Sequence, residues 1–353
     1  MSFEYKNKRK TADQIKVNSM LENLPSFCRN MIISSERSVS PRTNKEYLER
    51  ISVFFRYLHE NNGYFKSKDI VDYTPEDISK LNKDDIEEFA HYIYTESATN
   101  KTRANKPGTA DSYLSALNVL WNYLIDSDRI NVPNPVARVR RSRKEAKDPV
   151  RLTKYEQDKI SDVITHGGNI SVRQETFRQR TELRDLCIYK ILVGTGIRVS
   201  ELVGLDVDDI NFQTKSFPVI RKRDKYDVIY FNDEIAVLLA EYIEDDRPRY
   251  KPTDDEAALF LSSMGRRRGE RLDVRSVQNI VKKYAKYSSV AKANLITPHK
   301  LRSSYATEML DATGDLALVQ DLLGHEDPKT TKIYAKTNEK KKEQFRNALI
   351  DSN

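Results

Sequence analysis

The chain has 353 residues, a formal net charge of +7, 32% charged and 38% hydrophobic side chains, and only 11 Gly and 12 Pro. These values exclude collagen-like and low-complexity chains, no apolar run reaches membrane-spanning length, and the length suits two helix-rich domains, each with its own core. Cys28 and Cys187 stand alone, without ligand spacing or a disulfide framework, and the basic N-terminus has no apolar run behind it. The protein is therefore expected in the cytoplasm, with no secretory signal.

Residues 1–34 precede the first clear periodicity and receive no role; a tail, an additional helix and a DNA- or partner-contacting arm all stay open. From there three segments have helical spacing. Thr43–Asn61 sets Tyr47, Leu48, Ile51, Phe54, Phe55 and Leu58 on one face. Asn82–Glu96 buries Ile86, Phe89, Ala90 and Ile93, and Thr109–Asp126 lines up Tyr113, Leu114, Leu117, Leu120, Trp121 and Leu124. Such stripes are core, so residues 35–137 are expected to form a helical bundle. The acidic segment Asp69–Glu88, with eight carboxylates and two lysines, is expected to face away from any phosphate backbone.

Residues 138–151 carry seven basic and two acidic side chains between the prolines of Asn131–Pro135 and the capping box Thr153-Lys-Tyr-Glu156. A charge run between prolines and a helix start reads as a linker, which places the domain boundary there. A second basic run, Arg266–Arg268, lies downstream. Either run alone reads equally well as a solvated loop. Beyond the linker, helices are predicted at Thr153–Thr165, Arg180–Gly194 and Ser200–Val203. Asp209–Phe212, Phe217–Ile220 and Asp227–Phe231 alternate as strands of a small three-stranded antiparallel sheet. Helices resume at Ile235–Asp245, Val274–Tyr287, Pro298–Ala312, Leu316–Leu323 and Lys329–Tyr334. The fold class is mainly α, with a second domain over residues 152–335 and an amphipathic helical tail over 336–353.

Chemistry concentrates in that second domain. Thr195-Gly-Ile-Arg198-Val-Ser-Glu201-Leu places a guanidinium and a carboxylate at i, i+3 on a helix start, where one can orient the other. Pro298-His299-Lys-Leu-Arg302 pairs an imidazole with a second arginine at another helix start; Leu323-Gly-His325 and Thr330-Thr331-Lys-Ile-Tyr334 follow. The run Arg221-Lys222-Arg223-Asp224-Lys225 sits at a predicted hairpin tip. Singly, each has a plain alternative: a surface ion pair, helix-cap histidines, one more of 19 tyrosines. Jointly, two arginines can clamp the oxygens of one phosphodiester and neutralise charge growing in a five-coordinate transition state. A phenol can attack phosphorus and a lysine can protonate the departing alkoxide. With no carboxylate cluster to hold Mg²⁺, charge stabilisation is assigned to protein cations, and no cofactor is expected.

With these motifs in this order, the chain resembles the tyrosine recombinases, the integrase and Xer group. Ser40-Pro-Arg-Thr43-Asn-Lys-Glu-Tyr47 is similar to that family's first core-binding helix, and Asn134-Pro135 with Leu152-Thr153 to its interdomain joint, so the likeness spans about residues 35–335. It implies a SAM-like core-DNA-binding bundle and a catalytic domain of the DNA breaking-rejoining fold. It implies that Tyr334 attacks the scissile phosphate to give a 3′-phosphotyrosyl link, and that Arg198 and Arg302 bind the phosphate oxygens. Glu201 supports Arg198, His299 assists proton transfer, His325 hydrogen-bonds the phosphate, and Lys222 is the general acid for the 5′-oxygen. The family's hairpin commonly reads Gly-Lys-Gly-x-Lys; both glycines are arginines here, which keeps Lys225 as a competitor for Lys222. The implied partner is double-stranded DNA with inverted-repeat sites, bound by a homotetramer whose C-terminal tails are exchanged between protomers, with an accessory protein left open and no membrane. Arg138, Arg140, Arg141, Arg143 and Lys144 of the linker, with Arg266, Arg267 and Arg268, are expected along the DNA backbone. Xer-type dimer resolution and mobile-element integration share every motif. A type IB topoisomerase and a non-catalytic DNA-binding regulator are the competing readings.

Overall fold

Charge crowds the start of helix α1 (Phe3–Leu21), and its buried residues, Val17 and Leu21, lie near its end. Leu24 and then Phe27, Cys28, Met31 and Ile32 of α2 (Ser26–Ser35) continue that stripe. The computed structural model describes residues 3–95, 107–142, 151–168, 170–221 and 224–324, and the chain divides into two units, residues 7–147 and residues 148–353 with 1–6.

In the first unit α1 and α2 share one core with α3 (Pro41–Asn61), α5 (Lys83–Thr95) and α6 (Pro107–Asp126); a short α4 (Pro75–Ser79) precedes α5. Residues 7–34, set apart from the bundle in the sequence reading, are thus part of it. Ser40 caps α3 by accepting the Thr43 N–H, and Pro41 occupies the first turn, where its missing N–H costs nothing. The aromatic stripes meet: Phe54 lies 4.9 Å from Phe89 and 5.9 Å from Trp121, both edge-on. Edge-to-face contact adds roughly 1 kcal/mol per pair beyond the area buried. The acidic segment is not wholly a solvated face, because Asp77 is buried, pairs with Lys68 at 2.8 Å and caps α4 through the Thr74 N–H.

The second unit begins with the expected capping box. The Glu156 carboxylate accepts the Thr153 N–H at 2.8 Å and the Thr153 hydroxyl accepts the Glu156 N–H at 3.2 Å, opening α7 (Lys154–His166). Then come α8 (Val172–Thr195), α9 (Val199–Leu202), β1 (Ser216–Ile220), β2 (Tyr226–Tyr230), α10 (Asp233–Glu241), α11 (Val274–Tyr287), α12 (Pro298–Thr313) and α13 (Leu316–Leu323). Helix α8 crosses this core with Ile188, Tyr189, Ile191 and Leu192 buried. Arg184, Lys283, Tyr284 and Thr181 all donate to Asp185, which is fully buried, so the core holds a satisfied polar network.

The sheet has two strands among the described residues, not three. β1 and β2 pair antiparallel from Ser216↔Tyr230 to Ile220↔Tyr226. The segment expected as a third strand, Asp209–Phe212, starts on the last residue of a 3₁₀ turn, Val207–Asp209, and makes one isolated bridge, from Asn211 to Ser216. Consecutive acidic residues favour that turn: Asp209 reaches back to the Asp206 N–H at 2.9 Å. Both cysteines are buried, one in each unit, and burial pushes both thiols well above their usual pKa. No described helix is long and apolar enough to cross a membrane.

Candidate active site

Helix α8 ends in Gly196, whose left-handed conformation (φ +62°) reverses the chain so that Arg198 caps α9. A Cβ on Gly196 would overlap the Tyr305 ring. Gly196→Ala therefore meets both a disfavoured φ and a collision, and is expected to cost about 3 kcal/mol, read as a fall in the thermal midpoint. An unchanged midpoint would contradict that packing. One turn on, the Glu201 carboxylate accepts the Arg198 backbone N–H and the Arg198 guanidinium, both at 2.9 Å. Glu201 is buried, while the Arg198 side chain is 37% exposed, so its charged end is held at the surface.

Arg302 comes from α12, which Pro298 opens at its first position. Its guanidinium is buried and donates to the carbonyl oxygen of Gly196 at 2.5 Å and to that of Leu323. Leu323 ends α13, and Gly324 behind it is left-handed (φ +56°). Arg198 Nη2 donates to the Gly324 carbonyl at 3.2 Å. The two motif arginines thus meet on consecutive carbonyls at the negative end of one helix, where cations are favoured.

A third arginine joins them. Arg221, at the end of β1, donates to the carbonyls of Leu322 and Leu323, each at 3.1 Å, and to Asp227 at 2.9 Å. It also lies 3.5 Å from Glu201, which is therefore shared by two guanidiniums. Glu201→Ala strands the buried Arg221 charge and releases Arg198, so a loss of roughly 3–5 kcal/mol is expected. Urea unfolding checks this; a loss under 1 kcal/mol would show that Asp227 and the helix carbonyls suffice.

His299 stands three residues ahead of Arg302. Partial burial, then the nearby charges of Lys300, Arg302 and Arg198, hold its pKa below the ordinary histidine value. The ring is therefore mostly neutral at pH 7 and able to accept a proton. Arg198, Glu201, His299 and Arg302 are thus brought together. Lys222, His325 and Tyr334 lie outside the described residues, as do Arg143, Lys144, the predicted helix over 329–334 and the tail over 336–353.

The expected DNA contacts fall in both units. Arg138 and Arg140 are exposed in the first unit, and Arg141 donates to the Asp111 carbonyl at 2.7 Å. In the second unit Arg266 is exposed, Arg267 pairs with Asp273 at 2.7 Å and Glu270 at 3.3 Å, and Arg268 donates to the Arg249 carbonyl. Residues 1–6 add a feature that sequence reasoning missed. Lys6 Nζ bonds the Arg221 carbonyl at 3.3 Å and pairs with Asp224, so it touches the chain on either side of positions 222 and 223. Tyr5 packs on the same unit, its ring 4.6 Å from the Arg271 guanidinium. The basic run at 6–10 gave no signal of this, because nothing in it marks one lysine apart from the others.

Comparison with known proteins places these features in a family. The model of the phage integrase family matches residues 151–341. Tyrosine recombinase XerC of Caldanaerobacter subterraneus subsp. tengcongensis is 31% identical over 305 residues, covering 85% of this chain and 79% of that protein. Tyrosine recombinase XerS of Streptococcus mutans is 30% identical over 310 residues, covering 82% of this chain and 85% of its own. Among solved structures, XerH site-specific recombinase bound to palindromic difH substrate superposes with a TM-score of 0.63 at 21% identity, covering 88% of this chain and 80% of that one.

Proposed function

The chain belongs to the phage integrase family and is a tyrosine-type site-specific recombinase; on that premise we propose that it cuts and rejoins DNA through a 3′-phosphotyrosyl intermediate formed by Tyr334. The Tyr334 oxygen bonds to phosphorus as the bond from phosphorus to the 5′-oxygen breaks. The phenolic proton leaves through His299, which is neutral enough to take it, and Lys222 protonates the departing 5′-oxygen. Arg198 and Arg302 hold the non-bridging oxygens and offset the charge that grows on them, and His325 adds a hydrogen bond. The reverse reaction, with the 5′-hydroxyl of a partner strand attacking the phosphotyrosine, conserves the bond energy, so no ATP is consumed.

The reading rests on one observation above all: Arg198 and Arg302, from motifs 104 positions apart in sequence, bond adjacent carbonyls immediately ahead of His325. The working assembly is a tetramer on two duplexes with inverted-repeat sites, the tails over 336–353 docking between protomers. We favour an Xer-like role in resolving joined chromosomes or plasmids, because curated relatives at about 30% identity carry the names XerC and XerS.

Covalent trapping tests this. Wild-type protein is incubated with genomic fragments and quenched in detergent, and the attached DNA is sequenced. Adducts at one inverted-repeat site are expected, and their position separates a chromosomal resolution site from the ends of a mobile element. Adducts scattered over many sequences would point to relaxation by a topoisomerase. No adduct on intact or nicked DNA would leave a protein that only binds.

A further inference from the structure

We propose that Arg221 is a positioning residue for the general acid next to it, fastening the root of the Lys222 turn to the arginine pocket; this rests on the reading of Lys222 as donor to the 5′-oxygen. Arg221 opens a run of charge that reads as an exposed hairpin tip, yet it is only 5% exposed. Its guanidinium is tied in three directions: across the hairpin to Asp227, down to the carbonyls of Leu322 and Leu323, and sideways to Glu201. Its backbone N–H donates to the Lys225 carbonyl at 2.8 Å, which ties together the chain on either side of positions 222 and 223. One side chain therefore links the turn to the Glu201 that orients Arg198 and to the Leu323 carbonyl that Arg302 also bonds.

The chemistry of the site requires an arginine. Two consecutive helix-end carbonyls, a carboxylate across a hairpin and a second buried carboxylate call for a planar, many-pronged cation, which a lysine ammonium does not supply. Space is reserved for it as well. A Cβ on Gly324 would stand 2.9 Å from Arg221 Cδ and Nε, so the glycine of the Leu-Gly-His motif serves as the floor under this guanidinium as well as the helix cap. The resembled family commonly has glycine where this chain has Arg221. Here a side-chain anchor stands at that position.

The test separates proton donation from everything else the pocket does. Full-length wild type, Arg221→Lys and Lys222→Ala are compared on two versions of the duplex recovered by covalent trapping, one with the natural 5′-oxygen at the scissile phosphate and one with a 5′-bridging sulfur. A thiolate leaves without a proton, so a defect confined to general-acid catalysis disappears on sulfur. Arg221→Lys keeps the charge and loses the fork. It is expected to cleave the oxygen substrate about 10²-fold more slowly and the sulfur substrate within about threefold of wild type, in parallel with Lys222→Ala. Melting curves and DNA affinity are measured alongside, with Arg221→Gln as a second variant should Arg221→Lys fold poorly. Equal losses on both substrates, or no loss on either, with Lys222→Ala rescued by sulfur, would overturn the role of Arg221 and leave that of Lys222. Failure of sulfur to rescue Lys222→Ala would overturn the general-acid reading and this inference with it.

Discussion

Tyr334→Phe is expected to eliminate covalent protein–DNA adducts, lowering cleavage by at least about 10⁴-fold, while DNA affinity stays within about twofold of wild type. The substitution removes one oxygen and keeps the ring. With that oxygen gone, no side chain in the proposed mechanism can attack phosphorus; Arg198, Arg302 and His299 would still bind and polarise the phosphate. Affinity should survive because phosphate contacts spread over many cations supply most of the binding energy to DNA. A denaturing gel reads the adduct and a mobility-shift titration reads affinity. If adducts persisted, another residue would be the nucleophile. If binding collapsed as well, Tyr334 would be holding the fold or the DNA.

Arg302→Ala is expected to have the next largest effect, a loss of about 10³-fold in cleavage. Arg302 is buried and donates to the carbonyls of Gly196 and Leu323. Removing it withdraws a cation from the proposed transition state and takes the donor from the Gly196 carbonyl, at about 1–3 kcal/mol, while the Leu323 carbonyl keeps Arg221. Arg198→Ala provides the contrast. Its side chain is 37% exposed, so cleavage should fall comparably while stability falls much less. Arg302→Lys should recover stability in part and little activity, because an ammonium cannot reproduce the two-pronged geometry. Single-turnover cleavage with urea unfolding of the same samples separates the two effects. Cleavage by Arg302→Ala within tenfold of wild type would remove that residue from the chemistry.

Helices α3, α5 and α6 were legible because their aromatic residues repeat at helical spacing, and α7 because Thr153 and Glu156 announce it. The pairing of Arg198 with Glu201 was legible for a similar reason, since i, i+3 at a helix start leaves them little else to meet. What escaped the sequence has physical causes of its own. Helix α1 hides its apolar stripe among charges and exposes it only from Val17 on. The third strand failed because Asp206 and Asp209 pull the backbone into a capped turn before alternation can act. Arg221 was read only as part of a hairpin tip because composition says nothing about which of five charged neighbours turns inward. Its burial depends on carbonyls more than 100 residues away, and no local pattern reports those. The basic run Arg266–Arg268 likewise did not announce that Arg267 pairs with Glu270 and Asp273.

Trp121 is the single tryptophan in the chain and sits fully buried in the core of the unit that spans residues 7–147. Indole fluorescence is therefore a private optical channel for that unit, and the other is seen only through tyrosine absorbance. Following both signals through one denaturant titration shows whether the halves melt together or in turn, with no label attached. The same emission, recorded as DNA is added, reports whether the bundle's interior is disturbed when the enzyme engages its substrate.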